Sequence, residues 1–382
     1  MELRYKKIQQ QLINLEADAC IITSSVNIYW LCGFIFDGFL YITKSDEPIL
    51  FVKRPISLKD ERAIFIRKPE QIPDYLNEIG VVLPKKLLIE ADHMSFNSVN
   101  RLQAAFHMPE ILNCSMKFRE LRSVKTEEEL NQIRESAKVH AQVYQKIPSL
   151  YRKGMTDLEL QIEIERVMRL HGSVGIFRSF GDNMDIFMGS MLAGDNAQAA
   201  SPYDYALGGE GISPLLPIGA NNTPLLPGTS LMVDMARNFR PYMDDMSRTF
   251  IIENAPQIAF QAHNVSIKIH REIAKTAKSG TICLDMYNIA ENLAKEYDLQ
   301  KHFMGTTQQA KFIGHGVGLE INEPPVLSPR SKEVLETGMT FALEPKFVLP
   351  GIGAVGIENT YIVHNDHIEN ITLCEEEIII LK

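Results

Sequence analysis

Residues 231–252, LMVDMARNFRPYMDDMSRTFII, predict two β-strands joined by a turn. Both ends of the stretch carry apolar and β-branched residues, and Asn238–Pro241 supplies typical turn residues. In an antiparallel hairpin, the two residue numbers of every facing pair add up to the same value. If the hairpin is symmetric about this turn, Asp234 and Asp245 face each other with Cβ atoms about 4.5–5.5 Å apart. Two carboxylates at that distance repel each other unless a cation or a shared proton intervenes.

A second acidic pair is predicted by residues 340–358, TFALEPKFVLPGIGAVGIE. Two apolar runs flank the turn residues Pro350–Gly353, and the mean of 344 and 358 falls on Gly351. Glu344 and Glu358 are therefore expected to face each other across this hairpin. Taken alone, either acidic pair is more commonly two solvent-exposed carboxylates on neighbouring strands of a sheet surface. Two such pairs in one domain favour a bound cation.

One histidine completes the candidate ligand set. His315 lies in Ile313–Gly318, IGHGVG, where glycines on both sides let the backbone approach its neighbours closely. Alone, a histidine in such a turn is more commonly structural. With the four carboxylates it suits Mn²⁺, Co²⁺, Fe²⁺ or a catalytic Zn²⁺ pair, and not a thiolate-type structural zinc. Five side chains exceed what one catalytic ion needs, so we expect two ions about 3.5–4 Å apart, bridged by carboxylates.

The rest of the chain predicts two domains. In the first 120 residues, short strand-like runs alternate with helical patterns, which is typical of a small α/β domain. At Thr126 and Thr156, a carboxylate follows the hydroxyl by three residues, which indicates a helix N-terminus. Longer helices and strand-rich stretches alternate in the C-terminal part. We therefore expect an α/β domain over residues 1–122 and a larger α+β domain over residues 123–382.

Composition and charge disfavour several classes of protein. The 382 residues include 39 Lys and Arg against 48 Asp and Glu, a net charge of −9, which disfavours nucleic-acid and anionic-membrane partners. No run approaches the roughly 18 apolar residues of a membrane span, and the first residues lack the apolar core of a signal peptide. The five cysteines are scattered, so neither a disulfide framework nor a thiolate zinc site is indicated. We expect a cytoplasmic enzyme.

The ligand-bearing segments resemble the Xaa-Pro peptidase branch of the pita-bread metallopeptidases, which includes prolidase and aminopeptidase P. Methionine aminopeptidase and creatinase share that fold. The resemblance is carried by Asp234, DMSRTF (245–250), GHGVGLE with EPP (314–325), GMTFALEP (338–345) and IENT (357–360). VNIYWLCGF (26–34) resembles the N-terminal domain of the family, and LRSVK (121–125) its interdomain helix entry. The resemblance implies a creatinase/prolidase-like N-terminal domain, a pita-bread catalytic domain and a homodimer.

The resemblance also implies a role for each ligand. Asp234 would chelate one ion, Asp245 and Glu358 would bridge both, and His315 and Glu344 would hold the second. Mn²⁺ is the expected metal, with Co²⁺, Zn²⁺ and Fe²⁺ as alternatives. A water between the ions would attack the scissile carbonyl, and Glu344 would take its proton. The implied enzyme is a metal-dependent Xaa-Pro dipeptidase or aminopeptidase that cleaves the bond before proline in a peptide or small amide.

Three positions depart from the pattern of the family. Asn322 replaces a usual second histidine, Ser201 replaces another, and Gly356 replaces an arginine two residues before the last glutamate. Asn322 and Ser201 are the predicted substrate-binding residues, but neither can titrate as a histidine does. Loss of a general acid–base group typically costs about 10²–10⁴ in rate. The sequence therefore leaves open a divergent enzyme with a non-peptide substrate, or a weakly active or inactive homologue that binds a ligand.

Overall fold

The computed structural model describes residues 2–181 and 188–382 and forms two compact units, Met1–Arg122 and Ser123–Lys382. The helices of the described residues are α1 (Glu2–Asn14), α2 (Ser25–Cys32), α3 (Gln71–Glu78), α4 (Phe96–Ala105), α5 (Ser115–Ser123), α6 (Glu127–Tyr144), α7 (Ile147–Leu150), α8 (Asp157–Leu170), α9 (Gln257–Thr276) and α10 (Cys283–Glu296). None of these helices has the length and apolar character that crossing a membrane requires.

The N-terminal unit is built on one mixed β-sheet. Its strands are β1 (Ala19–Ile22), β2 (Asp37–Thr43), β3 (Ile49–Arg54), β4 (Ala63–Phe65), β5 (Lys86–Ile89) and β6 (Glu110–Asn113). They lie in the order β4-β3-β2-β1-β5-β6. The central strands β1, β2 and β5 are almost wholly buried and apolar, which is why each appears as a short continuous apolar run in the sequence.

Within the described residues, the C-terminal unit contains three sheets. Its strands are β7 (Ser190–Ala193), β8 (Ser230–Arg237), β9 (Asp244–Ile252), β10 (Gly314–Gly316), β11 (Glu323–Val326), β12 (Thr340–Leu343), β13 (Lys346–Leu349), β14 (Gly353–Gly356), β15 (Asn359–Val363), β16 (Ile368–Asn370) and β17 (Ile379–Leu381). Their orders are β17-β9-β8-β7, β11-β10-β12-β15-β16 and β13-β14. The long helices α6 and α9 pack against these sheets and bury an apolar face there.

The predicted helix starts are confirmed by side-chain geometry. The hydroxyl of Thr126 accepts a hydrogen bond from the backbone N–H of Glu129, whose carboxylate accepts one from the Thr126 N–H in return. Thr156 and Glu159 form the same reciprocal pair at the start of α8. Each capping box satisfies two N–H groups that the first turn of a helix leaves unpaired.

The first acidic hairpin differs in register from the predicted one. Asp234 lies opposite Ser247, and Asp245 lies opposite Ala236. The predicted direct pairing of Asp234 with Asp245 is therefore wrong by two residues. Because side chains alternate between the two faces of a strand, a shift by two leaves both carboxylates on the same face. They are diagonal neighbours instead of directly facing ones.

The length of the connecting loop accounts for this shift. The loop extends over residues 238–243 and not only over the four predicted turn residues 238–241. The backbone N–H of Met243 donates to the carbonyl of Gly318, in a segment outside the hairpin, so it is not available to the ladder. The strands therefore begin to pair further from the predicted turn.

The register of the second acidic hairpin is confirmed. Lys346 pairs with Gly356 in the β13–β14 ladder, and Leu343 pairs with Asn359 in the β12–β15 ladder. Both ladders continue the register that the sequence predicts. Glu344 lies at the break between β12 and β13, and Glu358 lies at the break between β14 and β15. The break lets both carboxylates face the same interior space as the first acidic pair.

Candidate metal centre

The five predicted ligands come together in the C-terminal unit. Oxygen or nitrogen atoms of Asp245, His315 and Glu358 all lie within 4.8 Å of one another, and so do oxygens of Asp234, Glu344 and Glu358. Glu358 belongs to both groups. The residues come from β8, β9, β10 and the two strand breaks, so five separate parts of the unit supply one cluster.

Close packing of the backbone fixes the position of His315. A Cβ atom on Gly314 would lie 2.1 Å from the carbonyl oxygen of Ala342, and one on Gly316 would lie 2.1 Å from that of Pro324. Only glycine is compatible with these approaches. The Nε2 atom of His315 lies 3.6 Å from Glu344 Oε1 and 3.9 Å from Asp245 Oδ2.

Two of the carboxylates are held in an environment that disfavours their charge. Burial, with the nearby charges of Asp234 and Glu344, raises the pKa of Asp245 well above its ordinary value. Burial, with the charge of Asp245, likewise raises the pKa of Glu358. Buried acidic groups that repel one another are stabilised in the charged form by a cation among them.

The structure reveals a cation within the cluster that the sequence analysis missed. The Nζ atom of Lys346 lies 2.7 Å from Asp234 Oδ2, 2.7 Å from Glu344 Oε2 and 3.3 Å from Glu358 Oε2, and its side chain is 0% exposed. Burial lowers the pKa of a lysine, but the three carboxylates outweigh it and hold the pKa of Lys346 well above its ordinary value. The spacing was the available signal, because Lys346 follows Glu344 by two positions, and side chains two positions apart lie on the same side of an extended chain.

A second missed residue is Ser247, which orients Glu358. Its hydroxyl donates a hydrogen bond of 2.6 Å to Glu358 Oε2, and both side chains are buried. Ser247 shares a face of β9 with Asp245, since the two are separated by two positions. Hydrogen-bond partners of this kind fix the orientation of metal-binding carboxylates.

The donor set fits a divalent cation. Carboxylate oxygens with one imidazole nitrogen suit Mn²⁺, Fe²⁺, Co²⁺ and catalytic Zn²⁺. Asp245, His315 and Glu358 form a group that Lys346 contacts only through Glu358. All three members of the other group contact the Lys346 ammonium. The first group could therefore hold an ion without displacing the lysine.

The adjacent Asp244 lies outside the cluster, because consecutive side chains of a strand point to opposite faces. Its Oδ2 lies 2.7 Å from Nδ1 of His140 on α6, and both side chains are fully buried. Burial lowers the pKa of His140. This contact joins α6 to β9 on the face of the strand away from Asp245.

The carboxylates and His315 line a cleft with largely apolar walls. The larger apolar side chains of the cleft are Phe177, Leu207, Ile218, Phe312 and Ile321. Asn322 also lines it, and both ends of its amide are engaged: Nδ2 donates to the Phe180 carbonyl at 2.6 Å, and Oδ1 accepts from the Phe180 N–H at 2.8 Å. Asn322 thus anchors the segment that forms one wall.

Ser201 lies beside a neighbouring cavity. That cavity shares Tyr205, Leu207 and Phe312 with the cleft of the carboxylates and is otherwise lined largely by residues 197–208 and 305–312. The Ser201 hydroxyl accepts a hydrogen bond from the Tyr203 N–H at 3.1 Å, which stabilises a local turn. The substrate-binding role of Ser201 stays a prediction.

Comparison with sequence families matches both parts of the chain. Residues 131–365 match Metallopeptidase family M24, and residues 4–124 match the Creatinase/Prolidase N-terminal domain. An uncharacterized peptidase of Staphylococcus aureus (strain MRSA252) is 25% identical over 380 residues, which are 98% of this chain and 99% of the relative.

Solved structures share the fold over nearly the full length. The X-Pro aminopeptidase from Thermotoga maritima MSB8 has a TM-score of 0.81 at 18% identity, covering 98% of this chain and 99% of its own. The Xaa-Pro dipeptidase from Bacillus anthracis has a TM-score of 0.82 at 21% identity, covering 100% and 99%. The fold class and the resemblance to the pita-bread metallopeptidases are therefore confirmed.

Proposed function

Because the chain belongs to metallopeptidase family M24, we propose that it is a divalent-metal-dependent peptidase that hydrolyses the bond before proline in a peptide. One observation carries this proposal: four carboxylates and one histidine converge at an apolar cleft. The names of the structural neighbours, an X-Pro aminopeptidase and an Xaa-Pro dipeptidase, support the specificity. Mn²⁺ as the metal, a homodimer and a cytoplasmic location stay predictions.

The ligand roles are part of this proposal. Asp245, His315 and Glu358 would hold a divalent ion, and Asp234 and Glu344 would complete the site. When bound, the ion supplies polarisation of the substrate carbonyl and of the attacking water. Its affinity is expected to fall at low pH, because its carboxylate and imidazole ligands must be deprotonated.

Proton transfer is proposed for Glu344. One of its oxygens, Oε2, accepts a hydrogen bond from Lys346, so the lysine holds the carboxylate in a fixed orientation. The other oxygen, Oε1, lies on the side of His315, at 3.6 Å from its Nε2. We assign Oε1 as the atom that takes a proton from the attacking water and passes it to the leaving nitrogen. Any amide nitrogen needs a proton to leave as an amine, and the nitrogen of an Xaa-Pro bond leaves in this way as the secondary amine of proline.

The cleft suits a small, partly apolar substrate. Phe177, Phe312 and Ile321 can contact the ring of proline, which is apolar and rigid. A proline-containing substrate also has less conformational freedom to lose on binding than other dipeptides. These features support Xaa-Pro specificity over general aminopeptidase activity.

The test is a panel of Xaa-Pro dipeptides, longer Xaa-Pro peptides and matched Xaa-Ala peptides, assayed with Mn²⁺ and after chelation. We expect hydrolysis of Xaa-Pro bonds only, loss of activity on chelation, and recovery when metal is added back. Asp245→Asn should lower kcat/KM by at least about 10²-fold, because it removes a charged ligand of the ion. Chelation that leaves hydrolysis unchanged would contradict the proposal.

A ligand-binding homologue with little peptidase activity is the second candidate. The engagement of both ends of the Asn322 amide by Phe180 favours it, because the backbone holds this side chain in place and the position offers the substrate no titratable group. Metabolites that raise the melting temperature while no panel peptide is hydrolysed would support this candidate. The same screen covers a non-peptide substrate, whose breakdown would be followed by mass spectrometry.

A further inference from the structure

The Lys346 ammonium is bonded to the three carboxylates of one ligand group. Asp234, Glu344 and Glu358 each accept a hydrogen bond from Nζ, at 2.7, 2.7 and 3.3 Å. An ammonium has three N–H donors, so these contacts use all of them. The same three residues form a possible metal-binding group, with ligand atoms within 4.8 Å of one another. The lysine therefore lies where a second divalent ion would have to bind.

The two cations exclude each other on physical grounds. A divalent ion binds carboxylate oxygens at about 2.0–2.2 Å, in the space between the oxygens that now surround Nζ. An ion among the same three oxygens would be in direct contact with Nζ, where a singly and a doubly charged cation repel strongly. The Lys346 side chain is 0% exposed, so its ammonium cannot turn out into water while the strands stay paired.

We infer that Lys346 takes the place of the second ion, so that the chain binds one divalent ion, on Asp245, His315 and Glu358. This inference rests on the proposed metal-dependent function and differs from the two-ion site that the sequence predicts. The ammonium supplies a positive charge and three hydrogen bonds but no open coordination position. It offsets the negative charge of Asp234 and Glu344 while the ion binds to the neighbouring group.

The number of bound ions tests the inference. Purified protein is stripped with chelator, loaded with Mn²⁺ and freed of excess metal, and its manganese is measured by elemental analysis. Wild type is expected to hold one ion per chain, with an electron paramagnetic resonance signal that shows no exchange coupling. Two ions per chain with a coupled signal would overturn the inference while leaving the proposed function intact. No bound manganese would overturn the metal-dependent function, and this inference with it.

Substitution of the lysine gives the second test. Lys346→Met keeps the length and apolar stem of the side chain and removes its charge, so the ion count should rise from one to two. Lys125→Met is the matched control, because Lys125 is equally buried but pairs with Glu323 outside the two ligand groups. Its count should stay at one. A count of one in Lys346→Met would show that the lysine is not what excludes the second ion.

A third comparison does not depend on the folding of Lys346→Met. If the single ion binds Asp245, His315 and Glu358, then His315→Ala should weaken Mn²⁺ binding by at least about tenfold in calorimetry. Asp234→Asn should change the affinity by much less and leave the count at one. Equal losses in Asp234→Asn and His315→Ala would place the ion on both groups and overturn the inference.

Discussion

The hydrogen bond from the Ser247 hydroxyl is expected to strengthen the binding of a cation by Glu358. The hydroxyl donates to Glu358 Oε2 inside a buried cluster of like charges, where each hydrogen bond to a carboxylate favours the charged form. We expect Ser247→Ala to lower Mn²⁺ affinity by about 10–100-fold, the usual effect of losing a group that orients a metal ligand. Isothermal titration calorimetry at fixed pH measures this change.

Thr249 provides the matched control for Ser247. It lies two residues further along the same face of β9, and its buried hydroxyl donates to the backbone carbonyl of Gly356 instead of to a carboxylate. Thr249→Val should cost about 1–3 kcal/mol of stability, because it leaves a buried carbonyl without its donor, but should leave metal affinity unchanged. Equal affinity losses in both variants would assign the effect of Ser247 to general destabilisation.

The amide of Asn322 leads to a different expectation from the one that the family pattern suggests. It donates to and accepts from the backbone of Phe180, a parallel pair that an imidazole cannot reproduce because its two nitrogens point apart. We therefore expect Asn322→His to lose at least one hydrogen bond, with a cost of about 1 kcal/mol in unfolding free energy, and to leave kcat/KM unimproved. Urea unfolding and steady-state kinetics on one Xaa-Pro dipeptide give both values. A rise in kcat/KM of tenfold or more would contradict this expectation and would support a substrate-facing role for residue 322.

At the scale of elements, the two acidic hairpins differ in how much the sequence can predict. The turn Pro350–Gly353 is compact, so the midpoint of the second hairpin follows from its turn residues. In the first hairpin, the N–H of Met243 bonds to Gly318, a partner 75 positions away, and no local pattern contains that information. The sequence therefore identifies the correct faces of both hairpins and the correct register of one.

Gly356 shows why an arginine is absent from the second hairpin. Its φ is +137°, and an added Cβ atom would lie 2.8 Å from the carbonyl oxygen of Pro345. The register places Lys346 opposite it, so the hairpin still provides a cation beside the carboxylates, from the other strand. Neither the backbone conformation nor the close approach can be deduced from the pattern of residue types alone.

This geometry predicts the cost of a side chain at Gly356. Gly356→Ala should lower the free energy of unfolding by about 2–3 kcal/mol, because strained backbone and a steric clash add together. Gly351→Ala is the control within the same hairpin, since its φ of +77° is also positive but nothing lies within 4 Å of an added Cβ. It should cost only about 1 kcal/mol. Similar losses in the two variants, measured by urea unfolding, would show that the approach to Pro345 is relieved by small shifts.

At the scale of the whole molecule, the cluster joins parts of the chain that are distant in sequence. Asp234 and Glu358 lie 124 positions apart, yet oxygens of both belong to one group within 4.8 Å. The four carboxylates and the histidine that meet in the cluster could be selected from the sequence because each lies in a recognisable segment; their role as ligands stays a prediction. For the lysine, the sequence offered only its spacing from Glu344, because its contacts with Asp234 and Glu358 become evident only when the separate strands are assembled.

The buried carboxylate cluster makes the stability of the folded state depend both on pH and on bound metal. In the metal-free fold, burial and neighbouring carboxylates raise the pKa of Asp245 and of Glu358. A carboxyl with a higher pKa in the folded state keeps its proton longer there than in the unfolded chain. Its contribution to stability is therefore present at acidic pH and is lost as pH rises above the ordinary carboxyl range. A divalent ion that binds only the folded, deprotonated carboxylates offsets this loss.

We therefore expect Mn²⁺ to raise the melting temperature more at about pH 8 than at about pH 5, where protons compete with the ion for the carboxylates. Thermal unfolding of the chelated and the Mn²⁺-loaded protein at several pH values measures the difference. Asp245→Asn is the control, because it removes one of the repelling charges and one ligand of the ion. Its metal-free melting temperature should fall less with rising pH than that of wild type, and Mn²⁺ should hardly change it. An Mn²⁺-induced increase that is the same at both pH values, or that persists in Asp245→Asn, would mean that the ion stabilises the protein from outside this cluster.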